Sequence, residues 1–284
     1  MSMIKKLIIT LIALPFLAFI VLLIVLDNPD TYQTLLTKSF HDETSLNLEI
    51  EGDIKWRYWP PVAIDISGIN ITPDHTDTKF ATLENATIDI QVMPLLTSGK
   101  ILIDEIHIEG LEINAFIDKQ GKENWLKSVP TEDTPIQQKE PTSESLSDTN
   151  MILDVSELTM SNAIVNYQDQ RDSTHYILNI NTFSSDALRA NHPANVQLRM
   201  RLEDKKTNIS HDLEIAGLVS FNNTMDQFRL ENLDVRNKIN QAGSSELLAT
   251  LNLNGDIDTH LGKAEIQHSA LTMGSLNLSF SLNA

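Results

Sequence analysis

The sequence predicts a mainly β protein, in which an N-terminal transmembrane helix is followed by an elongated, curled antiparallel β-sheet. Three observations predict this fold. Residues 7–26 are almost uniformly apolar, and from Leu46 onward apolar and polar residues alternate with a period of two. Glycines also recur at positions where the alternation changes parity. A sheet that bends repeatedly at such glycines curls rather than staying flat.

Composition excludes several classes of function. The chain has 284 residues, no cysteine and a formal net charge of -18. An acidic chain is repelled by phosphate backbones, so nucleic acid is not an expected partner. The same charge disfavours adsorption to anionic lipid headgroups, so membrane attachment must be hydrophobic. Without cysteine there are no disulfides, thiolate nucleophiles or Cys-ligated metals.

The first element is an apolar run from Leu7 to Leu26 with Thr10 as its one polar side chain. A helix of this length spans about 30 Å, the thickness of the hydrocarbon core of a bilayer. Lys5 and Lys6 precede the run, which predicts a cytoplasmic N-terminus and export of everything after it. A cleaved signal peptide would have a shorter apolar region and a small-x-small site. We therefore interpret residues 1–27 as a cytoplasmic stub and an uncleaved anchor.

A short helix is predicted next. Asn28 is a suitable cap, Pro29 suits the first helical position, and apolar residues share one face at positions 32, 35, 36 and 40. One interpretation is a helix that closes the end of the following sheet. The other is a helix lying at the membrane surface.

The body reads as roughly a dozen strands, with no long helix after the N-terminal region. Alternation is clearest in the segments 46–56, 62–66, 88–92, 101–103, 111–117, 196–202 and 247–253. Two patterns recur. I-x-I-x-G-[IL]-x-I occurs at 64–71 and 106–113, and L-x-[IL]-x-G-x-[IV] at 48–54, 213–219 and 251–257. In the first pattern parity changes at the glycine, which predicts a bend or bulge there.

Residues 128–150 differ from the rest of the chain. They contain three prolines, are acidic and have few aliphatic residues, as expected of an exposed loop or linker. They separate a first β region, 28–127 with its short leading helix, from a second one at 151–284. One continuous sheet with a long excursion and two separate domains are both compatible with this pattern.

No catalytic constellation is present in the sequence. There is no H-E-x-x-H, nucleophile elbow, Walker loop or dinucleotide fingerprint. Acidic residues flank histidine at 41–43 and 74–77, where a polar turn is the simpler interpretation than a cation site. We expect no enzymatic activity, no cofactor and no metal.

Alternating strands have one apolar face, and that face must be covered. A second sheet would make a dry sandwich. Lipid tails would instead fill an open groove. The predominance of Ile, Leu and Val suits both interpretations.

Three stretches carry a family resemblance: Gly52–Trp56 with Trp59–Pro60; Phe80–Leu83 and Ala86 followed by Met93–Ile101; and Gly121–Trp125. In this order behind an anchor, they resemble the N-terminal region of the AsmA family of bacterial envelope proteins, over about residues 1–125. Residues 162–169 extend the resemblance more loosely into the second half.

The resemblance implies a single-pass inner-membrane protein of Gram-negative bacteria with its body in the periplasm. It implies a curled sheet with an apolar groove, similar to chorein-type lipid bridges. The implied role is to move phospholipid toward the outer membrane or to support outer-membrane biogenesis. Family members are usually longer. A dozen strands span only about 55–60 Å.

We therefore predict a non-enzymatic protein that binds or passes phospholipid acyl chains along this groove. The alternative is a periplasmic scaffold that assists assembly or targeting of outer-membrane proteins by edge-strand contacts. The predicted lining of the groove is Leu46, Leu48, Ile50, Ile54, Ile64, Ile66, Ile88, Ile90, Ile101 and Ile103.

Overall fold

A computed structural model describes residues 37–38, 40–41, 46–57, 62–74, 78–91, 93–94, 97, 102–125 and 154–283. Their main element is one sheet of thirteen strands. The strands are β1 (Leu46–Ile50), β2 (Ile54–Arg57), β3 (Val62–Pro73), β4 (Ala81–Ile90), β5 (Ile103–Ile117), β6 (Asp154–Asp169), β7 (Thr174–Arg189), β8 (Ala194–Asp204), β9 (Ile209–Phe221), β10 (Gln227–Gln241), β11 (Leu247–Asp258), β12 (Lys263–Met273) and β13 (Leu276–Asn283).

From β3 onward, each strand lies beside its neighbours in the chain. The order runs from β1 through β3 to β13, and β2 pairs with β3 on the same side as β1. All strand pairs in extensive contact are neighbours in this order, so the described strands form a single layer. The prediction of a mainly β body is confirmed, and the sheet is open with β1 and β2 at one edge and β13 at the other.

One pair of strands differs from the predicted antiparallel arrangement. β5 and β6 pair in parallel, with Glu105 opposite Glu157 and Ile117 opposite Asp169. The prediction of a wholly antiparallel sheet is therefore wrong at this junction. The chain leaves β5 at one end of the sheet and enters β6 at the other end, and residues 118–153 are long enough for such a crossover. The strands before and after residues 128–150 are thus hydrogen-bonded side by side in one sheet.

The parity changes predicted at two glycines are present. Gly68 in β3 and Gly110 in β5 have φ of 65° and 67°, in the left-handed region that favours glycine. Each glycine lies where apolar residues shift by one position, between Ile66 and Ile69 in β3 and correspondingly in β5. The left-handed residue keeps both halves of the strand facing the same side of the sheet.

The glycines of the second pattern have a different role. A Cβ on Gly217 would lie 2.7 Å from Leu233 Cα, beside the bulge in β10, and one on Gly255 would collide with the backbone oxygen of Glu265 in β12. Gly52 likewise faces the backbone of Ser67, next to Gly68. These glycines make room for an irregular neighbouring strand.

Helix is scarce in the described part of the chain. Residues 37, 38, 40 and 41 are helical and fall at the end of the predicted short helix, and residues 93, 94 and 97 are also helical. None of the helices in the described ranges is long and apolar enough to cross a membrane. The predicted anchor, the start of the short helix, residues 128–150 and Ile101 lie outside the described residues.

Candidate functional site

One face of the sheet carries aliphatic side chains from edge to edge. Residues directly opposite each other in paired strands point to the same face, so the register defines rows across the sheet. We name each row after its member in β8. The Leu198 row consists of Ile54, Ile66, Ala86, Ile108, Met160, Phe183, Leu198, Ile215, Val235, Leu251, Leu271 and Leu278. Every member is apolar.

Two further rows lie beside it on the same face, because β8 pairs with β9 without a register shift from Ala194 to Asp204. The Leu202 row consists of Leu48, Ile71, Ala81, Ile113, Val165, Leu178, Leu202, His211, Ile239 and Leu247. Between the two, the Met200 row consists of Ala163, Ile180, Met200, Leu213, Asn237, Ala249, Met273 and Leu276. The face is a nearly continuous apolar band.

The register brings most of the predicted lining residues into direct opposition. Ile54 lies opposite Ile66, Ile64 opposite Ile88, and Ile90 opposite Ile103. Leu48 and Ile50 instead pair with Ile71 and Ile69. Leu46 lies at the edge, opposite Pro73, and is 9% exposed.

Sequence reasoning missed Ile69 and Ile71, and it missed the members of the face in β6 to β13. The parity change at Gly68 could have identified the first two. Of the later strands, β8, β9 and β11 contain patterns that are identified in the sequence but not assigned to a common face, and the alternation in β7, β10, β12 and β13 is not identified individually.

The apolar band is not buried under a second layer of described residues. Its lining side chains are mostly half-buried, as in Ile54, Ile66 and Leu198. Apart from proline, nine hydrophobic residues of the described part are buried, and five of them are alanines. A dry sandwich would bury large aliphatic side chains instead. The described residues therefore form an open apolar surface rather than a closed core.

The opposite face is polar and solvated. Arg201 pairs with Asp212 at 2.7 Å, and Arg229 with Asp256 at 2.7 Å. Hydrogen bonds to Asp212 raise the pKa of Arg201 above its ordinary value. Such exposed pairs stabilise the fold only slightly. The two faces thus differ sharply in polarity, which gives the sheet one side for water and one for apolar material.

The two edges of the sheet also differ. β1 and β2 are five and four residues long and include Glu49, Lys55 and Arg57. β13 is eight residues long and has no charged side chain, and Leu278 and Leu282 are 47% and 52% exposed. Short strands and charges protect an edge from pairing with other chains, whereas long apolar strands do not.

The turn at Gly121–Trp125 has a structural role. Asn124 accepts a hydrogen bond from the backbone N–H of Phe116 at 2.8 Å and donates one to the backbone oxygen of Asn114 at 2.8 Å. Trp125 packs near Phe80, with ring centroids 6.5 Å apart. This turn therefore covers the end of β5, where β4 no longer pairs with it.

The candidate cation sites are not supported by a ligand cluster. His41 Nδ1 lies 3.5 Å from an oxygen of Asp74, and the other acidic residues predicted there lie outside the described ranges. Among the described residues, no group of three or more His, Asp or Glu side chains is arranged to hold a metal ion.

Comparison with known proteins identifies the family. Over 159 residues the chain is 23% identical to Protein AsmA of Escherichia coli strain K12, an alignment that covers 56% of this chain. The aligned part is 24% of that protein, so the chain spans about a quarter of the length of this relative. The family model described as AsmA family matches residues 1–281. This chain therefore belongs to the AsmA family.

Proposed function

We propose that this chain is an inner-membrane-anchored periplasmic protein that binds phospholipid acyl chains along the apolar face of its sheet and passes them on during outer-membrane biogenesis. The proposed function is non-enzymatic and requires no cofactor. Family membership supports an envelope-related role. The apolar run at Leu7–Leu26 supports attachment to the inner membrane.

The observation that carries the proposal is the Leu198 row. It is apolar in every strand from β2 to β13, and no second layer of described residues covers it. Transfer of one methylene group from water to an apolar surface gains about 0.8 kcal/mol. A lipid tail lying along the rows would remove both its own surface and the half-exposed aliphatic side chains from water.

An acyl chain needs little directional bonding, so a ladder of equivalent aliphatic side chains allows it to slide. Because β1 and β2 share one edge of β3, the sheet is twelve strands across, and a spacing of about 4.8 Å gives a ladder of about 53 Å. We propose that a partner protein continues the path beyond this length.

Photo-crosslinking in cells tests the proposal on the full chain. A photoreactive amino acid is placed at Ile64 or Leu213 on the apolar face, and at Asp65 or Glu214 on the opposite face as matched neighbours. We expect phospholipid adducts at the first two positions and few at the others. Equal labelling of both faces, or no lipid adduct at any position, would contradict the proposal.

The exposed edge at β13 favours a second candidate function, a scaffold that docks an envelope protein by strand pairing. Among the described strands β13 has a neighbour on one side only, so its other side offers backbone groups and alternating leucines to an incoming strand. Photo-crosslinking at Ser279 distinguishes the two: protein adducts there, together with lipid-free positions 64 and 213, would support the scaffold instead.

A further inference from the structure

Two polar side chains interrupt the apolar face at one place. His211 is the one polar member of the Leu202 row, between Leu202 and Ile239. Asn237 is the one polar member of the Met200 row, between Leu213 and Ala249. The two residues belong to adjacent strands, β9 and β10, and their side chains lie 3.1 Å apart, between Asn237 Nδ2 and His211 Nδ1.

Fold stability does not explain the pairing of His211 with Asn237. Asn237 Oδ1 is buried and has no hydrogen-bond partner among the described residues. A buried acceptor left without a partner costs about 1–3 kcal/mol, and an aliphatic side chain at this position would avoid that cost. Each neighbour of Asn237 in its row is aliphatic, so a leucine would continue the apolar band.

The hydrogen bond fixes which atom of the imidazole is presented to a ligand. With Asn237 Nδ2 donating, His211 Nδ1 accepts, and its Nε2 carries the proton in the neutral ring. This assignment leaves a carbonyl oxygen rather than an N–H group unsatisfied, which proteins tolerate better. His211 is half-buried, and its Nε2 has no protein partner within the described part of the chain. It is therefore a free donor in the floor of the apolar face.

A second observation places polar-tipped side chains at the same end of this face. Tyr167 and Tyr176 lie opposite each other, two residues beyond Val165 and Leu178 of the Leu202 row, with stacked rings 6.4 Å apart. Tyr176 is 39% exposed. Tyrosines occur where an apolar surface meets water, since the ring is apolar and the hydroxyl forms hydrogen bonds.

The other end of the face has a different composition in the same part of the sheet. There Phe221 lies opposite Phe228, which lies opposite Ile257. These side chains have no hydrogen-bonding atom. From β6 to β11 the face thus has a polar end, defined by Tyr167, Tyr176, His211 and Asn237, and an entirely apolar end, defined by Phe221, Phe228 and Ile257.

We propose that His211, oriented by Asn237, is a lipid-recognition residue that donates a hydrogen bond from Nε2 to an oxygen acceptor at the head of an acyl chain. This inference rests on the proposed function and adds to it a fixed orientation of the lipid, with its head at the polar end and its tail toward Phe221. Ester carbonyl and phosphate oxygens share the required chemistry.

The test compares three diazirine-labelled probes with the same palmitoyl-length chain: a plain alkane, a methyl ester and a lysophosphatidylethanolamine. Each is photo-crosslinked to the full chain in a non-ionic detergent, and the labelling ratios are measured. We expect the ester and the lysophospholipid to label the unmodified chain about fivefold more than the alkane does, the ratio expected for one hydrogen bond of about 1 kcal/mol.

In His211→Leu this preference should disappear while alkane labelling remains. His211→Gln, which keeps an N–H donor, should restore part of it. His107→Leu is the matched control, because His107 lies on the opposite face, bonded to Thr159 at 2.8 Å. Asn237→Leu should lower the preference without unfolding the chain. An equal preference for the ester and the lysophospholipid identifies the carbonyl, which both contain, as the acceptor, whereas a preference for the lysophospholipid alone identifies the phosphate.

The failures of the two proposals are distinguishable. Equal labelling by all three probes, unchanged in His211→Leu, would overturn the role of His211 and leave the lipid-binding face intact. No labelling of the full chain by any probe would overturn the proposed function and this inference with it.

Discussion

Strands β1–β5 and strands β6–β13 form one apolar face, but different residue types adopt the left-handed conformation in the two parts. In the first part, the left-handed residues are Gly68 and Gly110. In the second part, the left-handed residues within strands are Asn162, Ala187, Asn232 and His268, with φ of 55°, 45°, 48° and 48°. The common feature is the continuous aliphatic face rather than any particular residue at the bend.

The difference has a steric cause. A Cβ on Gly68 would lie 2.8 Å from the backbone nitrogen of Gly52, so no side chain fits there. Beside Asn232 it is the neighbouring strand that has glycine, at Gly217. At both of these sites a glycine occupies the close approach, on the left-handed strand at Gly68 and on the neighbouring strand at Gly217. The two sequence patterns are alternative ways of making room at such a close approach.

The largest expected effect comes from adding a side chain at Gly68, where the backbone of β3 closely approaches Gly52. Gly68→Val combines a left-handed conformation that disfavours β-branched residues with a clash against backbone, so we expect a loss of about 2–5 kcal/mol in the free energy of unfolding. Asn232→Ala should lose only about 1 kcal/mol. Denaturant unfolding of the full chain followed by circular dichroism measures both. Equal losses would show that the two parts do not differ in this way.

Gly262→Asn is a useful control for this comparison. Gly262 also has a positive φ, 63°, but no atom lies within 4 Å of the position of a Cβ. Asparagine tolerates the left-handed region, so a nearly unchanged free energy of unfolding is expected. A large loss here would mean that conformation rather than the close approach dominates at Gly68.

The second prediction uses the exposure of the apolar face, which rises along the ladder. Ile90 in β4 is 9% exposed and Leu278 in β13 is 47% exposed. Ile90→Asp should cost about 2–3 kcal/mol, because a carboxylate would lose its hydration. Leu278→Asp should cost less than about 0.5 kcal/mol, as substitutions on exposed surface do. Equal costs would indicate that another segment covers β13.

Ile50→Asp should fall between these two. Ile50 is half-buried, and an aspartate there can keep part of its hydration. The sequence treats Ile50 and Ile90 as equivalent lining positions, whereas the structure separates them. Ile50→Asp is therefore the better probe of lipid binding. Lipid photo-adducts at Ile64 should decrease in this variant if the face binds acyl chains.

The alternating strands and the bends at Gly68 and Gly110 were predictable from the sequence, because period-two patterns and glycines have direct local causes. The sequence also predicts one apolar face that either a second sheet or lipid must cover. The parallel pairing of β5 with β6 was not predictable, since it depends on where residues 118–153 return the chain. Asn232 and His268 also resemble ordinary solvent-facing residues in the sequence. The position of His211 on the apolar face was predictable, because His211 has the same parity along its strand as Leu213, Ile215 and Gly217.

The third prediction concerns the two edges. Leu278→Lys adds a charge to an edge strand that has none, and we expect it to reduce aggregation of the full chain on warming about two- to fivefold. Asn47→Lys in β1 is the matched control, because that edge is already short and charged. Light scattering measures the effect. A similar change in aggregation from both substitutions would show that β13 is not the edge more prone to pair with other chains.

The smallest effect is expected at the junction of the two parts. Loss of solvent around Glu105, followed by the negative charge of Glu157, raises the pKa of Glu105 above its ordinary value. Hydrogen bonds from Lys205 and Arg201 instead lower the pKa of Glu203 in β8. Glu105 therefore favours the folded state when it is protonated, whereas Glu203 favours the folded state when it is ionised.

Replacement of each glutamate by glutamine should therefore act in opposite directions at neutral pH. Glu105→Gln should raise the melting temperature slightly, because the contribution of Glu105 is present below the ordinary glutamate pKa of about 4.3 and is lost as pH rises through its raised value. Glu203→Gln should lower the melting temperature, because the contribution of Glu203 is present above that ordinary pKa and is lost as pH falls through its lowered value. Both differences from the unmodified chain should shrink in acid, where the carboxyls are protonated. Scanning calorimetry from neutral to acidic pH measures them. A Glu105→Gln variant that is less stable at neutral pH would mean that the facing carboxylates of β5 and β6 stabilise the parallel junction, for instance through a shared proton, rather than opposing it.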